Sequence, residues 1–245
     1  MHRFYFESFY EDSEYIEFSK NISHQIINVL RMKNGDSIEV FNGKGLSGVA
    51  QINVITDIVS SEIISKKDVF DSSLKIDVYQ SIIKNSKLEL IIEKLVELGI
   101  SSFTPVITER SQKKDIISLS ENKINRLKKI SIESAEQSGK FFIPEIRSKE
   151  RFVDLFKERK LYNPIIFYES IDGAIGLNKI NFDSYNNSTM SIFIGPVGGF
   201  SKNEINLSKN SGAKIVNIGE TVLKSDTAAI VSCALIRYLI ENNLS

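Results

Sequence analysis

Cysteine and histidine are scarce in this chain of 245 residues, which holds one cysteine, Cys233, and two histidines. A single thiol excludes an internal disulfide, and so few soft ligands are a poor stock for a zinc site, so no metal is expected. Long apolar runs are missing too. No stretch reaches the ~18 residues that a membrane-spanning helix needs, so no membrane association is expected. The opening MHRFYFESFYEDSEY turns acidic where a secretory leader would be apolar, and the expected location is cytoplasmic. Nor is there any excess of charge, since 31 basic and 31 acidic residues balance. A neutral whole does not exclude nucleic acid, because a local basic face is enough to meet phosphates. Arg110, Lys113, Lys114, Lys123, Arg126, Lys128 and Lys129 against Asp115 and Glu121 form such a stretch. On charge alone, a solvated surface explains it as well.

What is present reads as two regimes that part near residue 70. Before it come short strands at Arg3–Phe6, Ser37–Phe41, Gly48–Val54 and Ser61–Ser65, with a helix near His24–Leu30. These predict a small β-barrel over residues 1–70, joined by a polar linker at Asp68–Ser73. From 74 to 245 strands and helices alternate, which predicts an α/β domain with a parallel sheet and ligand loops at the carboxyl ends of its strands. Strands are expected at Leu74–Gln80, Ser102–Ile107, Ile165–Tyr168, Ser191–Ile194 and Lys214–Ile218. Helices are expected at Lys84–Leu98, Glu121–Ser138 and Thr227–Glu241. The last is apolar nearly all round and should be buried, in the domain or against another subunit.

Gly43-x-Gly45-x-x-Gly48 matches the dinucleotide fingerprint in letters, but it lies between two strands and opens no helix, so it reads as a hairpin. No Walker A lysine–serine pair exists. The informative loops end three strands. Ile194-Gly195-Pro196-Val197-Gly198-Gly199 runs from an apolar strand into a helix marked by Ser201 and Glu204 at capping-box spacing. Ile218-Gly219-Glu220-Thr221-Val222-Leu223-Lys224 runs into the last helix, with Ser225 or Asp226 as the expected N-cap. Lys224 opposes the dipole of that helix, so a ligand or acidic partner explains it better than stability does. Tyr168-Glu169 ends the third strand. Glycine-lined and without a phosphate lysine, these loops suggest a site for a bulky neutral or zwitterionic cofactor.

At these positions the sequence resembles the RsmE family of SPOUT-class methyltransferases, which methylate a uridine of 16S ribosomal RNA at N3. Arg3-Phe4 and His24–Gly35 resemble its PUA-like RNA-binding module. Lys94 with Glu97-Leu98-Gly99, then Pro105 and Glu109-Arg110-Ser111, resemble its "KxxELG…P…ERS" stretch. Arg126, Glu133, Ala135, Gln137, Ser138 and Pro144 fit "R…EAxxQS…P". Gly195-Pro196-x-Gly198-Gly199 and Leu223-Lys224-x-Asp226-Thr227-Ala228 fall where the family carries "GPEGG" and "LRTETA". Val197, Lys224 and Asp226 depart from that pattern, where glutamate, arginine and glutamate are usual.

The resemblance implies a PUA-like β-barrel followed by a trefoil-knotted SPOUT domain, acting as a homodimer on 16S rRNA in the 30S subunit, with S-adenosylmethionine as cofactor. The implied cofactor contacts are Tyr168, Ile194, Gly195, Pro196, Gly198, Gly199, Ile218, Gly219, Thr221, Val222 and Leu223. Gly198→Val is expected to block cofactor binding. Glu169, Asp226 and Glu220 are the acids nearest these loops, and Arg110, Lys224 or Arg126 could stabilise a uridinate instead. RNA contacts are expected from Arg3, His24, Arg31, Arg110, Arg126 and Gln137. Two other readings remain open at this point: an RNA-binding assembly factor of the same fold that has lost catalysis, and a nucleotide-cofactor enzyme unrelated to RNA.

Overall fold

The computed structural model describes all residues except 56, 71–73, 159–160, 171–172, 183–187 and 244–245, so the second half of the expected linker lies outside the described residues. Two compact units emerge: Met1–Asp71 with Ala135–Ile143, and Ser72–Ser134 with Pro144–Ser245.

The first unit contains β1 (Arg3–Tyr5), β2 (Tyr15–Glu17), α1 (Lys20–His24), β3 (Ser37–Phe41), β4 (Leu46–Ile55) and β5 (Ile58–Asp68). They form a half-barrel sheet in the order β1-β3-β4-β5-β2, with β1 parallel to β3 and the other pairs antiparallel. Alternation decides which face is buried. Ile38 and Val40, with Ala50 and Ile52, join Phe4, Phe9, Phe18, Ile26 and Val59 in one core. The helix starts earlier than the sequence suggests, capped by Ser19, and widens into a π turn over Gln25–Val29. The fingerprint glycines do form the β3–β4 hairpin. Gly45 has φ +105°, and a Cβ there would stand 2.7 Å from the Val69 carbonyl, so only glycine fits.

Ala135–Ile143, expected in the second domain, packs instead in this first unit. Arg3 shows why. Its guanidinium lies between the Phe41 and Phe141 rings, 4.7 and 4.6 Å from their centroids. It pairs with Glu39 at 2.7 Å and donates to the carbonyls of Ala135 and Lys140. The Glu136 carboxylate accepts from the Tyr5 backbone N–H at 2.7 Å. A cation held by two rings, a carboxylate and two carbonyls is satisfied internally. Arg3 therefore has a structural role, tying β1 to Ala135 and Lys140.

The second unit is α/β. Its strands are β6 (Lys75–Ser81), β7 (Ser102–Ile107), β8 (Glu145–Ile146), β9 (Glu150–Arg151), β10 (Ile165–Phe167), β11 (Ile175–Gly176), β12 (Thr189–Ile194) and β13 (Lys214–Asn217). All pair in parallel, in the order β11-β13-β10-β12-β6-β7-β8, with β9 also on β7. Six of the seven residues of β6 and five of the six of β12 are buried, as a sheet covered on both faces requires.

The helices are α2 (Asn85–Glu97), α3 (Lys113–Ser118), α4 (Glu121–Ser138, whose last turn falls in the first unit), α5 (Phe152–Lys157), α6 (Lys202–Asn210) and α7 (Ser225–Asn243). Beneath the carboxyl ends of the strands, Tyr79 stacks on Phe193 at 4.5 Å, and Phe152, Phe156 and Phe200 close around them.

Helix α7 is not buried all round. Ala229, Cys233, Ile236 and Ile240 face the core, while Tyr238 is exposed and Leu235 partly so. Burial pushes the Cys233 thiol up to about 12, which leaves it unreactive. Arg237 fixes the helix by donating to the carbonyls of Leu74, Leu98 and Gly99, a cation at the C-terminus of α2.

Candidate functional site

Three strand ends make one cavity of about 250 Å³. The end of β10 supplies Phe167, Tyr168 and Glu169, the end of β12 supplies Ile194 to Gly199, and the end of β13 supplies Asn217 to Gly219 and Thr221 to Leu223. Ser225 and Ala228 of α7 complete the wall. The eleven residues expected to hold a cofactor are thus brought together. Among the described residues that line the cavity, Glu169 is the one formally charged side chain. Tyr168, Asn217, Thr221 and Ser225 add neutral polar side chains to the backbone groups of the loops.

Each loop is held in shape by contacts of its own. Pro196 to Gly199 is a tight turn, in which the Gly199 N–H donates to the Pro196 carbonyl at 2.9 Å. Gly199 takes φ +68°, and a Cβ on it would lie 2.1 Å from the Glu169 carboxylate. Gly198 is different: its Cβ would meet only the Arg110 side chain, at an ordinary 3.5 Å from Cδ and 3.9 Å from Cβ. The glycine at which a side chain is strained here is therefore Gly199, where it must also push the Glu169 carboxylate aside, and Gly198→Val is a weaker probe of the cavity than the sequence suggests. Asn217, which the sequence shows only as a strand residue, joins two of the loops. Its amide donates to the Tyr168 and Glu169 carbonyls at 3.2 Å, and its oxygen accepts from the Gly219 N–H at 2.8 Å.

Arg110 lies against the same loop and donates to the Gly198 carbonyl. Its turn is stapled by Ser111, whose hydroxyl accepts from the Thr108 N–H at 3.1 Å. Glu204 fixes the turn from below. This buried carboxylate completes the capping box of α6 and also accepts from the Glu109 N–H at 2.9 Å. Two backbone donors thus share one carboxylate, and an amide cannot serve both. Glu204→Gln leaves one buried N–H without an acceptor, and we expect a loss of about 2 kcal/mol. That corresponds to a melting point roughly 5 °C lower in a thermal scan.

The remaining expected site residues do not line the cavity. Asp226 sits outside the cavity and pairs with Lys87 at 3.0 Å. Burial raises its pKa, but the Lys87 hydrogen bond, its own backbone N–H and the charges of Lys87 and Lys224 outweigh that and hold it below the ordinary carboxylate range. A carboxylate so stabilised is a weak proton acceptor. Lys224 is exposed and does not line the cavity, and neither does Glu220. The Lys224 carbonyl accepts the first bond of α7, from Ala228 N–H at 2.8 Å, so Lys224 itself holds the N-cap position expected for Ser225 or Asp226. Arg126 is engaged by Glu89 through two hydrogen bonds, 2.6 and 3.0 Å. His24, Arg31 and Gln137 are exposed on the first unit. No group of three or more metal-ligating side chains occurs among the described residues.

Comparison with known proteins follows the same division. Residues 71–237 match the model of an RNA methyltransferase domain, and residues 19–58 that of an RNA methyltransferase PUA domain. Ribosomal RNA small subunit methyltransferase E of Rickettsia conorii is 32% identical over 244 residues, covering 97% of this chain and 95% of that one. The chain belongs to the ribosomal RNA small subunit methyltransferase E family. The Buchnera aphidicola (subsp. Schizaphis graminum) member is also 32% identical, covering 94% and 93% of the two chains. Among solved structures, the Neisseria gonorrhoeae family member bound to S-adenosylmethionine superposes with a TM-score of 0.84 at 26% identity, covering 98% of each chain. A Legionella pneumophila chain in complex with the cofactor SAM gives 0.86 at 29% identity, covering 97% of each.

Proposed function

We propose that this protein transfers a methyl group from S-adenosylmethionine to N3 of a uridine in 16S ribosomal RNA of the small subunit. The observation that carries the reading is the cavity at the ends of β10, β12 and β13, at the position where parallel α/β sheets bind ligands. Its donor set suits the cofactor. Backbone groups of Ile194 to Gly199 and of Ile218 to Leu223 would hold the adenosine and amino-acid parts, and the carboxylate of Glu169 meets a cationic ligand favourably. Bound there, S-adenosylmethionine supplies an electrophilic methyl on a sulfonium.

The protein's own groups have two tasks, alignment and charge. The rigid strand ends fix the direction from which the nucleotide must approach. Uridine N3 lies on the Watson–Crick edge, so the base must be unpaired to present it. N3 also sheds its imino proton, and Arg110 and Lys224 stabilise the resulting anion. Glu169 is better placed than Asp226 to accept that proton, because Lys87 already stabilises Asp226 as the anion. The PUA-like unit presents His24, Arg31 and Gln137 to the RNA.

The reading includes a cytoplasmic homodimer with a knotted C-terminal domain. The dimer is supported by exposed Tyr238 on α7 and by Val197 and Val222, 76% and 69% exposed, in the loops around the cavity. Among the described residues no helix is long and apolar enough to cross a membrane. Sedimentation at micromolar concentration should show a dimer, and a stable monomer would contradict that part. Incubation with methyl-labelled S-adenosylmethionine and 30S subunits tests the activity. Label should enter 16S RNA. Binding to subunits without label would point instead to an assembly factor.

A further inference from the structure

We propose that Gln80 is a positioning residue for the cofactor cavity, acting through Ser225 on the carbonyl of Gly195; this deepens the reading of the cavity as the S-adenosylmethionine site and rests on it. Gln80 is fully buried near the carboxyl end of β6, in register with Ile194 on one side and Pro105 on the other. It does not line the cavity. Its amide donates to the Ser81 carbonyl at 3.0 Å and to the Ser225 hydroxyl oxygen at 2.9 Å. Ser225 in turn donates to the Gly195 carbonyl.

The direction of this chain follows from counting protons. A hydroxyl has one proton to give. Because Gln80 donates to the Ser225 oxygen, the serine proton is committed to Gly195. The Gly195 carbonyl is therefore held toward the start of α7, and Pro196 restricts the next φ. The peptide that opens the glycine loop is left with one orientation. The same serine is the first residue of α7, so the two loops that face each other across the cavity are joined from beneath. A buried polar chain is maintained against a desolvation cost, and here it fixes the geometry of a binding wall.

Calorimetric titration of S-adenosylmethionine into the full-length wild type, Gln80→Leu, Ser225→Ala and the double variant tests this, with thermal melts of each without ligand. Each single variant should bind about tenfold more weakly, the loss expected when one hydrogen bond no longer orders the loop. The double variant should bind no more weakly than either single one. The melting losses of the two single variants should add only in part, because both variants break the one Gln80–Ser225 bond, while Gln80→Leu leaves the Ser225 proton on the Gly195 carbonyl. A merely structural glutamine would lower the melting point and leave affinity in the folded variant unchanged. If Gln80→Leu fails to fold, Ser225→Ala decides alone. Wild-type affinity in the folded single variants, whatever their melting points, would overturn the proposal. A wild type that binds no S-adenosylmethionine would instead overturn the reading of the cavity, and the proposal with it.

Discussion

Gly199→Ala should weaken S-adenosylmethionine binding by roughly a hundredfold, while Gly198→Ala leaves it nearly unchanged. The two positions are neighbours, and both are glycine in the family pattern. At Gly199 two penalties coincide. A side chain must be carried at φ +68°, and its Cβ must displace the carboxylate of Glu169, which would lie 2.1 Å away. Left-handed backbone costs a non-glycine residue on the order of 1–3 kcal/mol. The loop relieves that strain by leaving the shape that receives the cofactor, and every 1.4 kcal/mol needed to restore the shape on binding is about tenfold in affinity. At Gly198 the φ is ordinary and the added methyl rests on Arg110 Cδ at 3.5 Å, a normal contact. Titration of both variants separates a crowded wall from a general intolerance of the loop. Equal affinities would mean that the cofactor does not depend on Gly199 and Glu169.

Lys224→Met should cut single-turnover methylation by a factor of roughly 100, with saturating cofactor and little change in cofactor affinity. Removing one preorganised donor from a developing anion has an effect of this order. The side chain is exposed and lies outside the cavity, and its place at the N-cap of α7 is one where a cation opposes the helix dipole. A residue kept against the helix preference, beside the cavity, fits a role toward RNA. Lys224→Arg should retain or raise activity, because the guanidinium restores the usual family side chain and can contact two oxygens. Its melting point should change little, since Lys87 remains as the close partner of Asp226. Equal rates for wild type, Met and Arg would remove Lys224 from the mechanism.

The parts of the site that were legible in the sequence are the local ones. Glycine loops after apolar strands, and Ser201 with Glu204 three residues on, carry their meaning within a few positions. The loops at Ile194 and Ile218 therefore stand where the pattern puts them. Short elements were not legible. Strand β2 spans three residues in an acidic stretch and α5 only six, too few for a period to show. Contacts between distant positions leave no local trace either. Arg3 reaches Ala135 and Lys140, Gln80 reaches Ser225, and Glu109 reaches Glu204, each across ninety residues or more. Arg3 illustrates the cost. A basic residue near the start of an RNA-binding module reads as a phosphate contact, and nothing local announces the two aromatic rings and the carboxylate around it. Asp226 is a second case, where the Lys87 side chain, far away in sequence, lowers the basicity that the motif alone would suggest.

Mass mapping of the modified nucleosides of 16S RNA from cells lacking this protein tests the central claim most directly. The account predicts that one N3-methyluridine disappears, that it returns with the wild-type gene, and that Gly199→Ala does not restore it. An unchanged set of 16S modifications in those cells, or the loss of a methyl group from a different base, would contradict it.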